Sequence, residues 1–321
     1  MTPHQLRTFL AVADARSVSD AAGQLVVSQS AVSASMAGLQ RELGVRLLER
    51  DGRGVRLTEE GTVYAGYARR ILGLLDEALI AARDGEHPER GEVRLAAVPT
   101  AAEQVVPTYL ATFRDRFPDA HVGLEVGSRD EVFRRLLAHE VDLAVAGRPP
   151  ASSSLVSRAV ADNELVLVAA PRLVPGARAG GSSLDRLGGL PWLLREPGSG
   201  TRETMLGYLA EHELAPARLT LGANGAVIAG AVAGLGVTLV SRSAVSRELA
   251  AGQLTVLRAP GTPLNRPWHV VTRAELPAPA GLFLAHLVKA AGPAGAPRFI
   301  RHRAVRRAAG DRSGSGGEPI A

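Results

Sequence analysis

Ser17-Val18-Ser19-Asp20-Ala21-Ala22-Gly23-Gln24-Leu25-Val26-Val27-Ser28-Gln29-Ser30-Ala31-Val32-Ser33-Ala34-Ser35-Met36 carries two short helical patterns separated by a two-valine step. Ala21, Ala22 and Leu25 give the first helix an apolar face, and either Ser17 or Ser19 can cap it. Ser28 can cap the second. There Val32, Met36, Leu39 and Leu43 step by four, three and four residues, which is one buried stripe. Opposite that stripe Ser28, Gln29, Ser30, Ser33, Ala34, Ser35 and Ala37 are small or polar. A helix without bulk on its exposed N-terminal half fits a DNA major groove, its first amides on phosphates and Gln29 and Ser33 on base edges.

Upstream, Leu6, Phe9, Leu10 and Ala13 repeat with helical spacing and supply a third apolar face. Downstream, Gly44 stops the second helix, and Arg50-Asp51-Gly52-Arg53-Gly54-Val55-Arg56-Leu57-Thr58 places a glycine-bearing turn between two short extended pieces. That reads as a β-wing with Arg53 at its tip, set against the DNA backbone or a minor groove. Two alanine-rich helices with a basic turn also occur in ordinary helical domains; the position of the wing argues against that. Residues 1–58 are therefore expected to form a winged helix-turn-helix.

Thr58 caps the next helix, 59–84, with Glu59 and Glu60 at its positive end. Tyr64, Tyr67, Ile71, Leu74, Ala78 and Ala81 alternate spacings of three and four, a heptad seam that calls for a second helix. The alternative is packing on the chain's own small domain, which offers too little surface to cover the whole stripe. Residues 85–91, with Pro88, read as a hinge.

From Glu92 apolar runs (Val93–Val98, Val122–Val126, Leu143–Ala146, Leu165–Ala170, Val237–Val240) alternate with amphipathic stretches, which predicts mainly parallel sheets covered by helices. Two polar runs precede helices: Pro99-Thr100-Ala101-Ala102, and Glu196-Pro197-Gly198-Ser199-Gly200-Thr201-Arg202. Helix N-terminal amides beside hydroxyls hold carboxylate or phosphate, although a Gly-Ser-Gly-Thr run also serves as a plain turn with a capping residue. Residues 293–321, Arg-rich and then Gly/Ser-rich, read as a flexible tail.

Composition narrows the function. The 321 residues exceed one ordinary domain, and the absence of cysteine excludes disulfides, thiolate metal sites and thiol redox sensing. The net charge of +5 says little about DNA, because six arginines from Arg298 onward, against Asp311 and Glu318, account for +4 of it. No export signal or bilayer-spanning run is present, so the expected location is the cytoplasm, with no membrane partner. No GxSxG, P-loop, HExxH or metal-spaced histidine cluster occurs, so neither an enzyme nor a cofactor is expected.

The first 61 residues resemble the LysR family of bacterial regulators. The resemblance rests on Leu6, Phe9, Ala21-Ala22, Leu25, Ser28-Gln29-Ser30-Ala31-Val32-Ser33, Leu39, Glu42-Leu43-Gly44, Leu47, Arg50 and Leu57-Thr58-Glu59-Glu60-Gly61. Ser30, Ala34 and Leu48 depart from the commonest family residues, and Ala34 cannot hydrogen-bond a base. The resemblance implies a homodimer through the linker helix, assembled further into a homotetramer, on double-stranded DNA carrying an inverted-repeat operator, with RNA polymerase as a further partner. It also implies a fold in which the winged domain precedes a two-lobed α/β effector domain of the periplasmic-binding-protein (type 2) kind, 92–292. Lobe one would be 92–162 and 268–292, lobe two 163–267, with crossovers near Asp162-Asn163 and Arg266-Pro267. The cleft would then be faced by Thr100 and Ala101, Ser128 and Arg129, Gly147 and Arg148, Ser199, Gly200 and Thr201, and Asn224, with a small anionic metabolite between the lobes. Arg148 is equally a surface charge before Pro149-Pro150. The competing function is an effector-independent repressor whose second domain only assembles copies.

Overall fold

Thr2 opens the first helix, α1 (Pro3–Ala15): its hydroxyl accepts from Gln5 N, and the Gln5 side chain accepts from Thr2 N, so two otherwise orphaned donors are satisfied together. The structure, a computed structural model, describes residues 1–52, 54–84, 87–175, 184–290 and 297–302. Ser17, rather than Ser19, caps α2 (Val18–Leu25), and Ser28 caps α3 (Gln29–Leu43) by accepting from Ala31 N at 3.2 Å. Leu6, Phe9, Val12, Ala21, Ala22, Val32, Met36 and Leu39 close into one core, with Leu43 at its margin. The α2–α3 turn is made by Val26 at φ 56°, a left-handed conformation uncommon for a β-branched residue. Strands β1 (Leu48–Asp51) and β2 (Gly54–Leu57) pair antiparallel, Asp51 opposite Gly54, so the wing has a two-residue tip. Val55 N donates to Arg16 O at 3.0 Å and fastens the wing to α1. Arg53 lies outside the described residues.

The linker helix α4 (Glu59–Asp84) starts at Thr58, whose hydroxyl accepts from Gly61 N at 2.9 Å. A side chain at residue 61 is excluded, since its Cβ would stand 2.0 Å from Leu47 O. Ala65 and Ala68 bury against α1, and Tyr64 turns with them, its ring edge-on to Phe9 at 5.4 Å. Tyr64 therefore does not belong to the free seam: heptad spacing does not tell apart two adjoining faces of one helix, and the small domain claims the nearer one. The face left open carries Val63, Tyr67, Ile71, Leu74 and Ala78, with Tyr67 57% and Leu74 55% exposed.

Farther along, α4 is held by lobe one. Gly73 faces the backbone at Ala138 and His139, and Glu77 Oε2 accepts from Arg273 Nη2 at 2.9 Å and lies 2.5 Å from His139 Nδ1. Arg273 Nη1 donates to the carbonyls of Leu136 and Val141.

Lobe one is a six-stranded sheet in the order β14-β6-β13-β5-β3-β4, from β3 (Glu92–Ala97), β4 (His121–Val126), β5 (Leu143–Ala146), β6 (Val156–Ala161), β13 (Trp268–Thr272) and β14 (Ile300–Arg301). The pleat sorts β3: Val93, Leu95 and Ala97 face Tyr109, Phe113 and Phe283 on one side, while Ala96 faces Val132, Phe133 and Leu136 of α7 (Arg129–Leu137) on the other. Between β3 and β4 run α5 (Pro99–Gln104) and α6 (Val106–Arg116). Lobe two is built on β7 (Glu164–Ala169), flanked by β10 (Thr238–Ser241) and β11 (Thr255–Leu257), with β12 (Leu264–Asn265) also on β7. Leu165, Leu167 and Ala169 pack toward Trp192, Met205 and Leu209, and Val166 and Val168 toward Val227 and Ala231. A parallel pair, β8 (Trp192–Leu194) and β9 (Arg218–Thr220), completes this lobe.

Two expectations fail. The sheets are not mainly parallel: β3 is parallel to β4 and β5, but β13 runs antiparallel to β5 and β6, and every partner of β7 is antiparallel to it. Strands that return across the cleft enter their sheets backwards, which helix–strand alternation does not reveal. Nor does the tail leave the body at 293: Phe299 is fully buried beside Tyr109, ring centroids 5.5 Å apart, Tyr109 Oη donates to Pro297 O, and β14 pairs with β6. One buried aromatic anchors what composition reads as solvated. The remainder of the tail, 303–321, lies outside the described residues.

Candidate functional site

Ser28, Gln29, Ser30, Ser33 and Ala34 all stand exposed on the start of α3, away from Val32 and Met36. Gln29 Nε2 donates to Ser19 Oγ at 2.9 Å, which steadies its amide across α2, and the hydroxyls of Ser28 and Ser30 lie 2.9 Å apart. Ala34 offers only a methyl group. The helix thus presents a small hydrogen-bonding surface with nothing to obstruct a groove.

The second site lies where the chain passes between the two sheets. Asn163 follows β6 and Arg266 precedes β13, and the crossings are stitched together: Arg266 N donates to Asn163 O, and Asn163 Nδ2 to Arg266 O, both at 2.9 Å. Ser241 Oγ donates to Asn163 Oδ1 at 2.6 Å. Above this floor is a cavity of about 40 Å³, lined from lobe one by Thr100, Ser128, Arg129 and Gly147 and from lobe two by Arg195, Glu196, Ser199, Gly200 and Thr201. That is room for about three water molecules, so the lobes are nearly closed on each other.

Two helices point their starts at the cavity. Ser128 caps α7 by accepting from Glu131 N, and Ser199 caps the helix Gly200–Glu211 by accepting from Arg202 N. A serine that accepts a backbone N–H keeps its own proton for donation, so both hydroxyls remain competent donors to an anion.

Arg266 decides the electrostatics. Its guanidinium lies between the lobes, in space left by two glycines: a Cβ at Gly200 would stand 2.2 Å from Arg266 Nη2, and one at Gly147 3.4 Å. Among the described residues no carboxylate lies within 4.0 Å of it. Burial first, and then the Arg129 charge, lower its pKa, against which Glu203 acts. Arg195 is in the opposite situation: only 3% exposed, it binds Glu196 through Nε and Nη2, each at 2.7 Å. Burial opposes ionisation of Glu196, but the Arg195 hydrogen bonds, a backbone amide and the charges of Arg195 and Arg202 outweigh it and lower its pKa. The cleft therefore keeps the positive charge of Arg266 without a carboxylate partner among the described residues, beside Arg129, whose one carboxylate contact, Asp130 at 3.7 Å, is exposed.

Three expected wall residues are elsewhere. Ala101 is fully buried in the core of lobe one, because α5 turns it inward. Arg148 faces a neighbouring cavity. Asn224 is buried behind Arg195, accepting from its Nη1 and approaching Glu103 Oε2 of lobe one at 3.4 Å, so it ties the lobes together rather than facing the cavity. Sequence reasoning missed Arg195, Arg266, Asn163, Ser241 and Trp268. The crossover positions were a usable signal, since a segment that passes between two lobes must form the floor of their cleft.

A helix-turn-helix with a wing, a linker helix and a two-lobed domain with a charged cleft define a DNA-binding regulator with a small-molecule-binding domain. The comparisons with known proteins agree: residues 3–62 match the model of the bacterial regulatory helix-turn-helix protein, lysR family, and residues 86–292 that of the LysR substrate binding domain. The transcriptional regulator CfxR of Cupriavidus necator is 35% identical over 271 residues, 84% of this chain and 85% of the relative. The crystal structure of full-length CbnR complexed with its target DNA is 26% identical at a TM-score of 0.63, covering 89% of this chain and 98% of that one. The regulatory domain of CcmR from Synechocystis, in complex with 2-PG, is 28% identical at a TM-score of 0.57, over 61% of this chain and 94% of that one. The chain belongs to the LysR family of transcriptional regulators. Among the described residues no helix is long and apolar enough to cross a membrane.

Proposed function

We propose that this regulator binds an inverted-repeat operator as a homodimer or homotetramer and that a small anion, a carboxylate or phosphorylated metabolite, changes that complex by binding between the lobes. The observation that carries the anion is the Arg266 guanidinium, placed in the cleft between Gly147 and Gly200 without a carboxylate. Thr100, Ser128, Ser199 and Thr201 would donate hydroxyl hydrogen bonds to it, and Arg129 would supply a second charge. The 2-PG held by CcmR is in keeping with such a ligand. Gln29 and Ser33 would read base edges, with Ser28, Ser30, Ala34 and Arg53 at the backbone and groove walls. The exposed strip Tyr67, Ile71, Leu74 and Ala78 would meet its counterpart in a second copy. The reading includes no catalytic step and no resident cofactor, places the chain in the cytoplasm and takes RNA polymerase as the partner that reads out the change.

A ligand shifts regulation only through unequal affinity for two arrangements of the protein. The cavity of about 40 Å³ gives such a difference: an anion larger than a few waters enters only if the lobes separate or Arg266 swings, and a movement of lobe one would reach α4, which that lobe holds through Glu77 and Arg273. Melting curves of the full-length protein against small anions, 2-PG included, test this. A saturable rise in melting temperature that is lost in Thr100→Val and Ser199→Ala supports the site, and an undiminished rise in both variants contradicts it.

A further inference from the structure

A second cavity, of about 400 Å³, adjoins the cleft on the other side of Arg129 and Arg266. Besides those two, Arg148, His269 and His302 line it, and the one acidic side chain on its wall is Glu203. These side chains arrive from four separate segments: the start of α7, the loop after β5, the second crossover with β13, and the residue after β14 at the end of the described chain. Among the described residues no carboxylate lies within 4.0 Å of Arg148, Arg266 or His302, and the Asp130 contact of Arg129, at 3.7 Å, is solvent-exposed. His269 is buried, its Nδ1 2.8 Å from Ser157 Oγ, with its ring 6.0 Å from that of His302. Burial first, then His302 and Arg148, lower its pKa to about 4. The guanidiniums of Arg129, Arg148 and Arg266 outnumber the one carboxylate on this wall, Glu203, and repel one another, and a bound anion lowers that cost.

We propose that the cavity bounded by Arg129, Arg148, Arg266, His269 and His302 is a second anion site, distinct from the cleft, that takes a phosphate group, free or as part of a metabolite. Arg129 and Arg266 stand between the two sites, so an anion in one draws on the charge available to the other, and the two occupancies are coupled. His302 directly follows β14, past residue 292, where the match to the substrate-binding domain ends. The site is therefore completed by a segment that the domain match does not include.

The test is calorimetric titration of the full-length protein with inorganic phosphate and, separately, methyl phosphate. The double variant Arg148→Ser/His302→Ala should bind the effective anion at least about tenfold more weakly, the loss expected when a charged hydrogen bond is removed. Thr100→Val/Ser199→Ala should keep this site, and Arg148→Lys should retain most of the affinity. Both altered side chains are exposed, and unchanged melting and unchanged operator binding without ligand verify the fold. Binding of methyl phosphate alone assigns the site to a phosphorylated metabolite; binding of both shows that phosphate suffices. Two results overturn the proposal: no saturable binding of either anion by the unaltered protein, or binding that Arg148→Ser/His302→Ala leaves unchanged.

Discussion

Replacing Arg266 with methionine should move stability and ligand response in opposite directions. Met fills much of the same space between Gly147 and Gly200 without the charge. In the ligand-free protein the guanidinium is partly buried, beside Arg129 and without a carboxylate, so its removal should leave stability unchanged or raise it by about 1 kcal/mol, about 2–4 °C in a chain of this size. For the anion the balance reverses. A unit charge pair at about 4 Å in surroundings of intermediate dielectric attracts by about 4 kcal/mol, of which desolvation leaves roughly 1.5–3 kcal/mol. Arg266→Met should therefore need about ten to a hundred times more ligand to reach half the melting shift. Scanning fluorimetry reads both quantities in one experiment. A variant that melts several degrees lower, or that responds to the ligand at the same concentration as the unaltered protein, would refute the placement of Arg266 as the charge awaiting an anion.

Three more outcomes are expected from the packing. His269 is neutral when folded, its pKa near 4 against about 6.5 unfolded, so below pH 6.5 the unfolded chain takes up a proton that the folded one refuses; stability should fall by up to about 3 kcal/mol between pH 6.5 and 4, and His269→Gln should lose that part of the slope in denaturant titrations. Leu74→Asp puts a carboxylate on the exposed apolar face of α4 and should convert the proposed dimer to monomer in sedimentation velocity, while an intact dimer would take that face out of the interface. Phe299→Ala removes a fully buried ring beside Tyr109 and should cost about 3–5 kcal/mol in urea unfolding; a loss under 1 kcal/mol would mean that β14 does not hold in solution.

Legibility in the sequence follows the range of the interactions. The winged domain can be read because its signals are local: a cap at Ser28 and another at Ser17 or Ser19, a stripe at Val32, Met36 and Leu39, and the stop at Gly44 all lie within one or two turns of what they control, and only the choice of Ser17 needs the structure. The linker helix can be read as a helix, but heptad spacing puts Tyr64 on the wrong face because its partner, Phe9, is 55 residues away. The direction of the strands that return across the cleft escapes local patterns for the same reason, and Phe299 is lost in an arginine-rich segment because Tyr109 lies so far upstream. In the cleft, Ser199 and Gly200 are visible as polar and glycine residues at a helix start, and Ser128 only through the family resemblance. Arg195 and Arg266 are not, since in a chain whose basic residues are nearly all arginine nothing local distinguishes a buried guanidinium from a solvated one.

The central claim, that an anion between the lobes changes how the protein holds DNA, is tested most directly by DNase I footprinting of the promoter beside its gene, with and without the anion that gives the largest melting shift. The account predicts protection of an inverted repeat in both conditions, with flanking protection or hypersensitive positions that change as ligand is added and that need about tenfold or more ligand in Arg266→Met. An identical footprint at saturating ligand, in a protein that binds that ligand in its cleft, would contradict it.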